Sequence, residues 1–531
     1  MAVDPYFPKA IPTVDADFKG RTGWWNWVAW VVTEISLLRD STGKIGVGGK
    51  IRNRDHLQWE AVLLTITRMK LRASLLVFLL VAVAMAGETN SPGTYQSVSL
   101  GESRSVFGYD PTEDFITFDP QYREKHNQYV GELEALQKDL ARQAANGRAT
   151  PCSRQIFIEA RWLTLNSAHW DQIDRRLREL REMLQRPADP PDSREQVDAD
   201  GSFDHCSEAW FLKLDSTIEE VEYRTERGLP VQFPLKLLDR VNTPEKLRAY
   251  LDSLLISDVR KTGIDQRYEL NIAITAIERF IVGHVKNDYP FPPELKQALF
   301  DYQDQHWQDP QTGYFGGWYR LPDGNIRKTA DLSVTFHIAS YRRDSLKRIP
   351  EMMRTTIAFK NYPYPFGWRQ QGQPSNHHND DVVRLFRIGW PQMDEAQRQL
   401  ARVEIRQMMD FCLHDTMNPD GSFKMMDEDT LGSSFYFPVS LLNELGYFRP
   451  SLRFWRRESF PDAMEVAAKV ERRIQAMGLT DTESAKVLRI FDDARREQRA
   501  WRMGGAIVLV TLIWLGWRVL KHFRRHRRAI P

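Results

Sequence analysis

The densest group of reactive side chains in this sequence is Asn376-His377-His378-Asn379-Asp380-Asp381, followed by Arg384. Two imidazoles, two carboxylates and two amides fall within less than two helical turns, so acids, bases and hydrogen-bonding groups stand side by side. Asp331 lies upstream, in Lys328-Thr329-Ala330-Asp331, behind an aromatic run that contains Trp318 and Tyr319, and Trp368 precedes the cluster in Phe366-Gly367-Trp368. Flat rings beside carboxylates suit a carbohydrate. Rings stack on sugar faces, one carboxylic acid protonates the leaving oxygen, and a second carboxylate activates water or attacks carbon. The candidate catalytic residues are therefore Asp331, His377, His378, Asp380 and Asp381. Trp318, Tyr319, Trp368, Asn376 and Arg384 are the candidate substrate-binding residues. A lyase on uronic-acid polymers would use the same types differently, with His or Tyr taking a proton and Asn, Arg or His neutralising the substrate carboxylate. The residue types leave both chemistries open.

Each candidate also has a structural reading. Asp favours helix starts, so Asp380 or Asp381 is equally suited to capping, and His337, on an apolar stretch, reads as a core histidine. The spacing of His377, His378, Asp380 and Asp381 fits no zinc pattern, and hard-cation loops need more oxygen ligands, so neither a metal nor a cofactor is expected.

The elements that must position these groups follow a beat of about 54 residues. Gly147, Gly201, Gly263, Gly313, Gly367 and Gly421 are separated by 54, 62, 50, 54 and 54 residues, and such self-similarity marks a repeat architecture. Cys152, Ser153 and Phe157 recur as Cys206, Ser207 and Phe211 at the same offsets from their glycines, and Asp200-Gly201-Ser202-Phe203 returns as Asp420-Gly421-Ser422-Phe423. Before the glycines, stripes such as Trp170, Ile173, Leu177, Leu180 and Leu184 mark one face of a helix; after them the runs are more apolar, as in Ile272 to Ile277. One amphipathic and one mostly buried helix per beat predicts an all-α domain over residues 121–450, an (α/α)6 toroid of about six helical hairpins, with an open solenoid as the rival. Buried helices that begin just after the glycine turns would gather their N-termini, and the candidate residues with them, at one mouth.

The Gly-aromatic turns resemble those of the α/α-toroid superfamily, which includes terpenoid cyclases, protein prenyltransferases and (α/α)6 polysaccharide hydrolases and lyases. The resemblance covers roughly residues 120–450. It implies a toroid with its site at one end, but neither the acid motif of class II cyclases, of which Asp427-Glu428-Asp429 lacks the final carboxylate, nor the prenyltransferase zinc set is present. Terpenoid chemistry is disfavoured.

The chain carries two apolar segments outside that domain. Arg68 to Arg72 leads into an apolar run ending Ala84-Met85-Ala86, so residues 69–86 read as a signal peptide and 1–68 as upstream sequence or an extension. Residues 87–120 read as a spacer and 451–502 as a helical connector. Residues 503–520 span about 27 Å at ~1.5 Å per residue, close to the ~30 Å hydrocarbon core. The basic tail 521–531 belongs on the cytoplasmic side, which places the domain outside, as a single-pass inner-membrane protein facing the periplasm. A formal net charge of +2 with 27% charged residues excludes a large nucleic-acid footprint. In an oxidising compartment Cys152 and Cys206, equivalent in adjacent repeats, are expected to bridge, while Cys412 reads as a buried inert thiol. The expected function is a membrane-anchored, glycan-active enzyme whose partners are an envelope polysaccharide and the lipid bilayer; a non-catalytic binding or scaffold protein is the alternative. Mass spectrometry of the mature protein should find Gly87 at its N-terminus, and protease added outside the cell should digest the domain while sparing residues 521–531. A protected domain overturns this topology.

Overall fold

The computed structural model describes residues 111–145, 150–185, 195–342, 345–369, 373–425, 431–479 and 483–501, together with Met503, Trp514 and Trp517. The expected signal segment 69–86, the stretch 1–68, most of the apolar segment 503–520, the tail 521–531 and Gly147 lie outside the described residues. Among the described residues no helix is long and apolar enough to cross a membrane.

The described chain is predominantly helical. In order come α1 (Thr112–Phe118), α2 (Tyr122–Ala145), α3 (Pro151–Asn166), α4 (Trp170–Gln185), α5 (Trp210–Arg227), α6 (Pro244–Leu255), α7 (Val259–Thr262), α8 (Arg267–Val282), α9 (Leu295–Tyr302), α10 (Leu332–Arg342), α11 (Ile349–Ala358), α12 (Asn376–Gly389), α13 (Glu395–Asp410), α14 (Ser433–Glu444) and α15 (Ala463–Ala476), then α16 over 483–501. Local chemistry starts several of them. Thr150 and Ser153 exchange side-chain and backbone hydrogen bonds at 3.1 Å ahead of Pro151, so α3 opens with a capping box and a first-turn proline. Asp394 and Gln397 do the same for α13.

Two populations of helix result. α4 buries Ile173, Leu177 and Leu180 along one stripe, and α13 buries Ala401, Ile405, Met408 and Met409. By contrast α8 is buried continuously from Leu270 to Phe280 and α14 along its whole length, as expected of helices enclosed on all sides. The buried helices neighbour one another in chain order. Trp162 of α3 sets its edge on Phe211 of α5 at 4.9 Å between centroids, and α5 packs on α8, α8 on α10, α10 on α12 and α12 on α14. The amphipathic helices cover them: α2 and α4 on α3, α6 and α9 on α8, α11 on α12, and α13 on α11 and α12.

The glycine beat has a physical cause. Gly313 has φ +69°, and a Cβ there would lie 2.5 Å from the Met352 nitrogen and 2.6 Å from the Arg348 oxygen, so the turn presses against the first residues of α11. Gly201 repeats the contact against the Pro234 carbonyl. The amide of Gln308 donates to the carbonyls of Gly313 and Lys347 at 2.8 and 2.9 Å, and Gln196 does the same to Gly201 and Phe233 at 2.8 and 2.7 Å. Two residues on, the Phe315 and Phe203 amides donate to Thr335 and Thr217 hydroxyls, which ties each turn to the buried helix that follows.

One feature departs from the all-helical expectation, the spacer is partly helical, and the expected disulfide is present. Trp318–Arg320 (β2) and Ile326–Lys328 (β3) form an antiparallel hairpin, and Ile256–Ser257 (β1) adds to β2 in parallel. The turn sequence Pro322-Asp323-Gly324 turns this hairpin, with Gly324 at φ +84°. The end of the expected spacer is helical, because Phe115 of α1 stacks on Tyr122 at 4.7 Å. Cys152 and Cys206 form a disulfide, with Cα atoms 5.4 Å apart, that joins the start of α3 to the approach of α5. Beside it the Glu159 carboxylate accepts the backbone N–H groups of Glu208 and Ala209 and pairs with Arg176.

Gly313→Ala should destabilise the domain by about 2 kcal/mol or more, since it meets both a positive φ and backbone atoms. Gly283→Ala, at φ +88° with open space around it, should cost only about 1 kcal/mol. Equal losses in denaturant titrations would remove the close-approach explanation of the repeat.

Candidate functional site

The starts of α8, α10, α12 and α14 are linked through their side chains. Arg267, the first residue of α8, clasps Asp331 with Nε–Oδ2 at 2.5 Å and Nη2–Oδ1 at 3.1 Å. Asp331 also accepts the Val334 N–H at 3.0 Å, so it caps α10 while fully buried. The backbone N–H of Leu332 donates to the Pro365 carbonyl at 2.7 Å, which draws the preceding residue, Tyr364, over α12. There the Tyr364 ring lies parallel to His378, 3.8 Å between centroids, and His377 stacks on Phe437 of α14 at 4.2 Å.

On the other flank, the Tyr319 hydroxyl donates to the Asp265 carboxylate at 3.1 to 3.2 Å, and the Arg267 N–H donates to the same group at 3.0 Å. Burial raises the pKa of Asp265, and these donors oppose it. Burial, then the neighbouring His377, holds the His378 imidazole well below the usual histidine range, so it is neutral at physiological pH. Tyr319, Asp331, His377 and His378 thus belong to one connected cluster with Asp265, Arg267 and Tyr364.

The other sequence candidates go elsewhere. Asp380 and Arg384 form an ion pair at 3.1 Å, and Arg384 donates to Ser440 of α14 at 2.7 Å, so the pair belongs to the interface between two buried helices. Burial pushes Asp380 up to about 7 against the pull of Arg384. Neither Asp380 nor Asp381 caps α12, because they are its fifth and sixth residues and Ser375 occupies the cap position; both are fully buried. Asn376 donates to Thr416 at 3.0 Å. Trp368 is buried with its edge on Phe386 at 5.8 Å, and half-buried Trp318 lies beneath the Lys328 ammonium at 4.2 Å.

Sequence reasoning missed Asp265, Arg267 and Tyr364. The signal was available, since Asp265 and Arg267 lie two and four residues after Gly263, the third glycine of the beat, on the approach to and at the first position of its buried helix. Among the described residues no group of three His, Cys, Asp or Glu side chains is arranged to hold a metal ion. The chain matches no protein-family model, and no curated protein and no solved structure is significantly similar to it.

Deeper along α8, Glu278 is fully buried and its Oε1 accepts only an amide N–H, from Gln303 at 2.7 Å. Burial pushes its pKa from 4.5 up to about 8. The folded state therefore binds a proton that the unfolded chain has released, so stability falls as pH rises from about 4.5 to about 8 and levels off above that. Glu278→Gln should remove this slope, gaining roughly a few kcal/mol at alkaline pH. Unchanged pH profiles of the melting temperature would count against a protonated Glu278.

Proposed function

We propose that this chain is a membrane-anchored, extracytoplasmic enzyme acting on a glycan, an (α/α)6 toroid held at the inner membrane by residues 503–520 after removal of a signal peptide ending at Ala86. The succession of buried helices, each covered by amphipathic ones, supports the toroid, and the gathered starts of α8, α10, α12 and α14 correspond to its mouth. The single observation that carries the enzymatic reading is the Tyr364–His378 stack beside the Arg267–Asp331 pair.

This geometry favours lyase chemistry over hydrolysis. Hydrolysis needs two carboxylates free to face the scissile bond, whereas Asp331 is clasped by Arg267 and Asp380 by Arg384. On a uronate polymer, the neutral His378 is the base that takes the proton next to the sugar carboxylate. Tyr364, whose side chain is half-buried, returns a proton to the leaving glycosidic oxygen, and the positive ends of the gathered helices favour the substrate carboxylate.

A second reading follows from burial. His377, His378, Asp380 and Asp381 are each at most 3% exposed, which suits a toroid that holds an envelope polymer or partner without turning it over. Full-length protein in detergent, incubated with uronic-acid polymers, distinguishes these. The lyase reading expects ultraviolet-absorbing unsaturated ends whose formation falls about 10² to 10⁴-fold in His378→Asn and Tyr364→Phe with folding intact. New reducing ends without unsaturation indicate hydrolysis, and retention of polymer with no turnover indicates the scaffold.

A further inference from the structure

At the C-terminal ends of α12 and α14, opposite the candidate site along the same helices, lies a surface of arginines and aromatic rings. Arg402 lies over the Trp390 ring at 5.3 Å, and Arg453 and Arg456 lie over Phe460 at 5.0 and 4.6 Å. Arg402 also donates to the Trp455 carbonyl at 3.2 Å, which fastens α13 to this loop. Exposed Arg406 and Arg457 extend the surface, and Arg406 lies within electrostatic reach of Glu458. Next to them on α13, Leu400 and Val403 are 39% and 40% exposed. The carboxylates within this surface, Glu395 and Glu458, already pair with Arg402 and Arg456, so Arg406 and Arg457 leave it with excess positive charge.

The place where the chain leaves the domain identifies what covers this surface. Arg449 pairs with Asp493 and Glu497 of α16 at 3.4 and 3.3 Å, and the Ser451 N–H donates to Glu497 at 2.8 Å. The arginine-rich loop therefore abuts the end of α16. Trp501, at the last described turn, is 52% exposed, and the apolar segment 503–520 begins two residues later. The guanidinium groups resting on rings bond within the protein, Arg402 to Trp455 and Glu395, Arg453 to the Gly446 carbonyl and Arg456 to Glu458. They hold the rings in place and leave phosphate contact to Arg406 and Arg457. Rings with cations beside an apolar span are the composition of a membrane interface.

We infer that this surface docks on the bilayer itself, with Arg406 and Arg457 contacting anionic phospholipid headgroups and Leu400 and Val403 entering the headgroup layer. The domain is then held with the C-terminal ends of its buried helices against the membrane and the candidate site facing away from it. The inference rests on the reading of residues 503–520 as a membrane anchor.

The test uses the full chain with vesicles of phosphatidylcholine alone or mixed with phosphatidylglycerol, carrying nitroxide headgroups. A Leu400→Cys variant takes a fluorophore at a single reactive thiol, because Cys152 and Cys206 are bonded and Cys412 is buried. Quenching about twofold or more stronger on the anionic vesicles, weakened by salt and abolished by Arg406→Glu with Arg457→Glu, is expected. Equal quenching on both vesicles, or quenching indifferent to the charge reversals, overturns the inference, as does protection of the label by self-association without lipid. A second label at Trp517→Cys reports the anchor separately. Its failure to be quenched by acyl-chain nitroxide on either vesicle sinks the anchor reading, while the Leu400 label still reads the surface.

Discussion

The rest of the domain depends on the close approach of the glycine turns to the backbone beside them at four of the six positions of the beat; a side chain at Gly263 would meet only the His169 ring, at 3.3 Å. Side chains at Gly201, Gly313, Gly367 and Gly421 would meet backbone atoms of Pro234, Met352, Phe359 and Lys469 respectively, each at 2.6 Å or less. With only hydrogen atoms at that contact, each turn lies flat against its neighbouring segment, and its following aromatic enters the core. Phe203, Phe315 and Phe423 are all buried. The turn also sets the first residue of the next buried helix, as the Phe315 amide on Thr335 illustrates. At those four turns the beat is thus a packing requirement, and the position of Asp331, behind the Gly313 turn, descends from it.

Helices buried on all sides leave their polar side chains no water to turn to, so these groups pair across helix interfaces. Arg279 of α8 meets Glu219 and Glu222 of α5 at 2.5 and 2.6 Å, Asn271 of α8 meets Ser333 of α10 at 2.9 Å, and Arg387 of α12 meets Glu444 of α14 at 2.5 Å. Removing one partner of such a pair strands a buried charge at a cost of about 3 to 5 kcal/mol, whereas the intact pair adds little over apolar packing. Their contribution is register: each pair matches one height on a helix to one height on the next. Arg267 with Asp331 is the member of this series that lies at the helix starts, so the same device that aligns the helices also builds the candidate site.

On the proposed reading, the two ends of the buried helices have different tasks. Their N-termini carry positive dipole ends and a neutral histidine suited to an anionic sugar. Their C-termini carry the arginine and aromatic loop that adjoins α16. About 18 Å of helix, at ~1.5 Å per residue, separates His378 from the neighbourhood of Trp390, far enough for a polymer to reach one end while the other rests on lipid.

The sequence by itself determined the repeat, the helical class and the positions of the buried helices, because glycine spacing and 3.6-residue apolar periodicity are local properties of the chain. It also singled out Cys152 and Cys206, whose identical offsets from Gly147 and Gly201 express the same repetition. The short sheet was legible in Pro322-Asp323-Gly324 but was masked by the helical rhythm around it. Tertiary structure alone decided the fate of the charged candidates. Asp331 and Asp380 look alike in sequence, yet one caps α10 under Arg267 and the other bridges α12 to α14 through Arg384. Which partner a carboxylate meets depends on the height and rotation of a neighbouring helix more than 50 residues away, as Ser440 is from Arg384. Tyr364 reaches His378 through the Leu332 to Pro365 hydrogen bond between two repeats, a long-range contact that local periodicity does not encode.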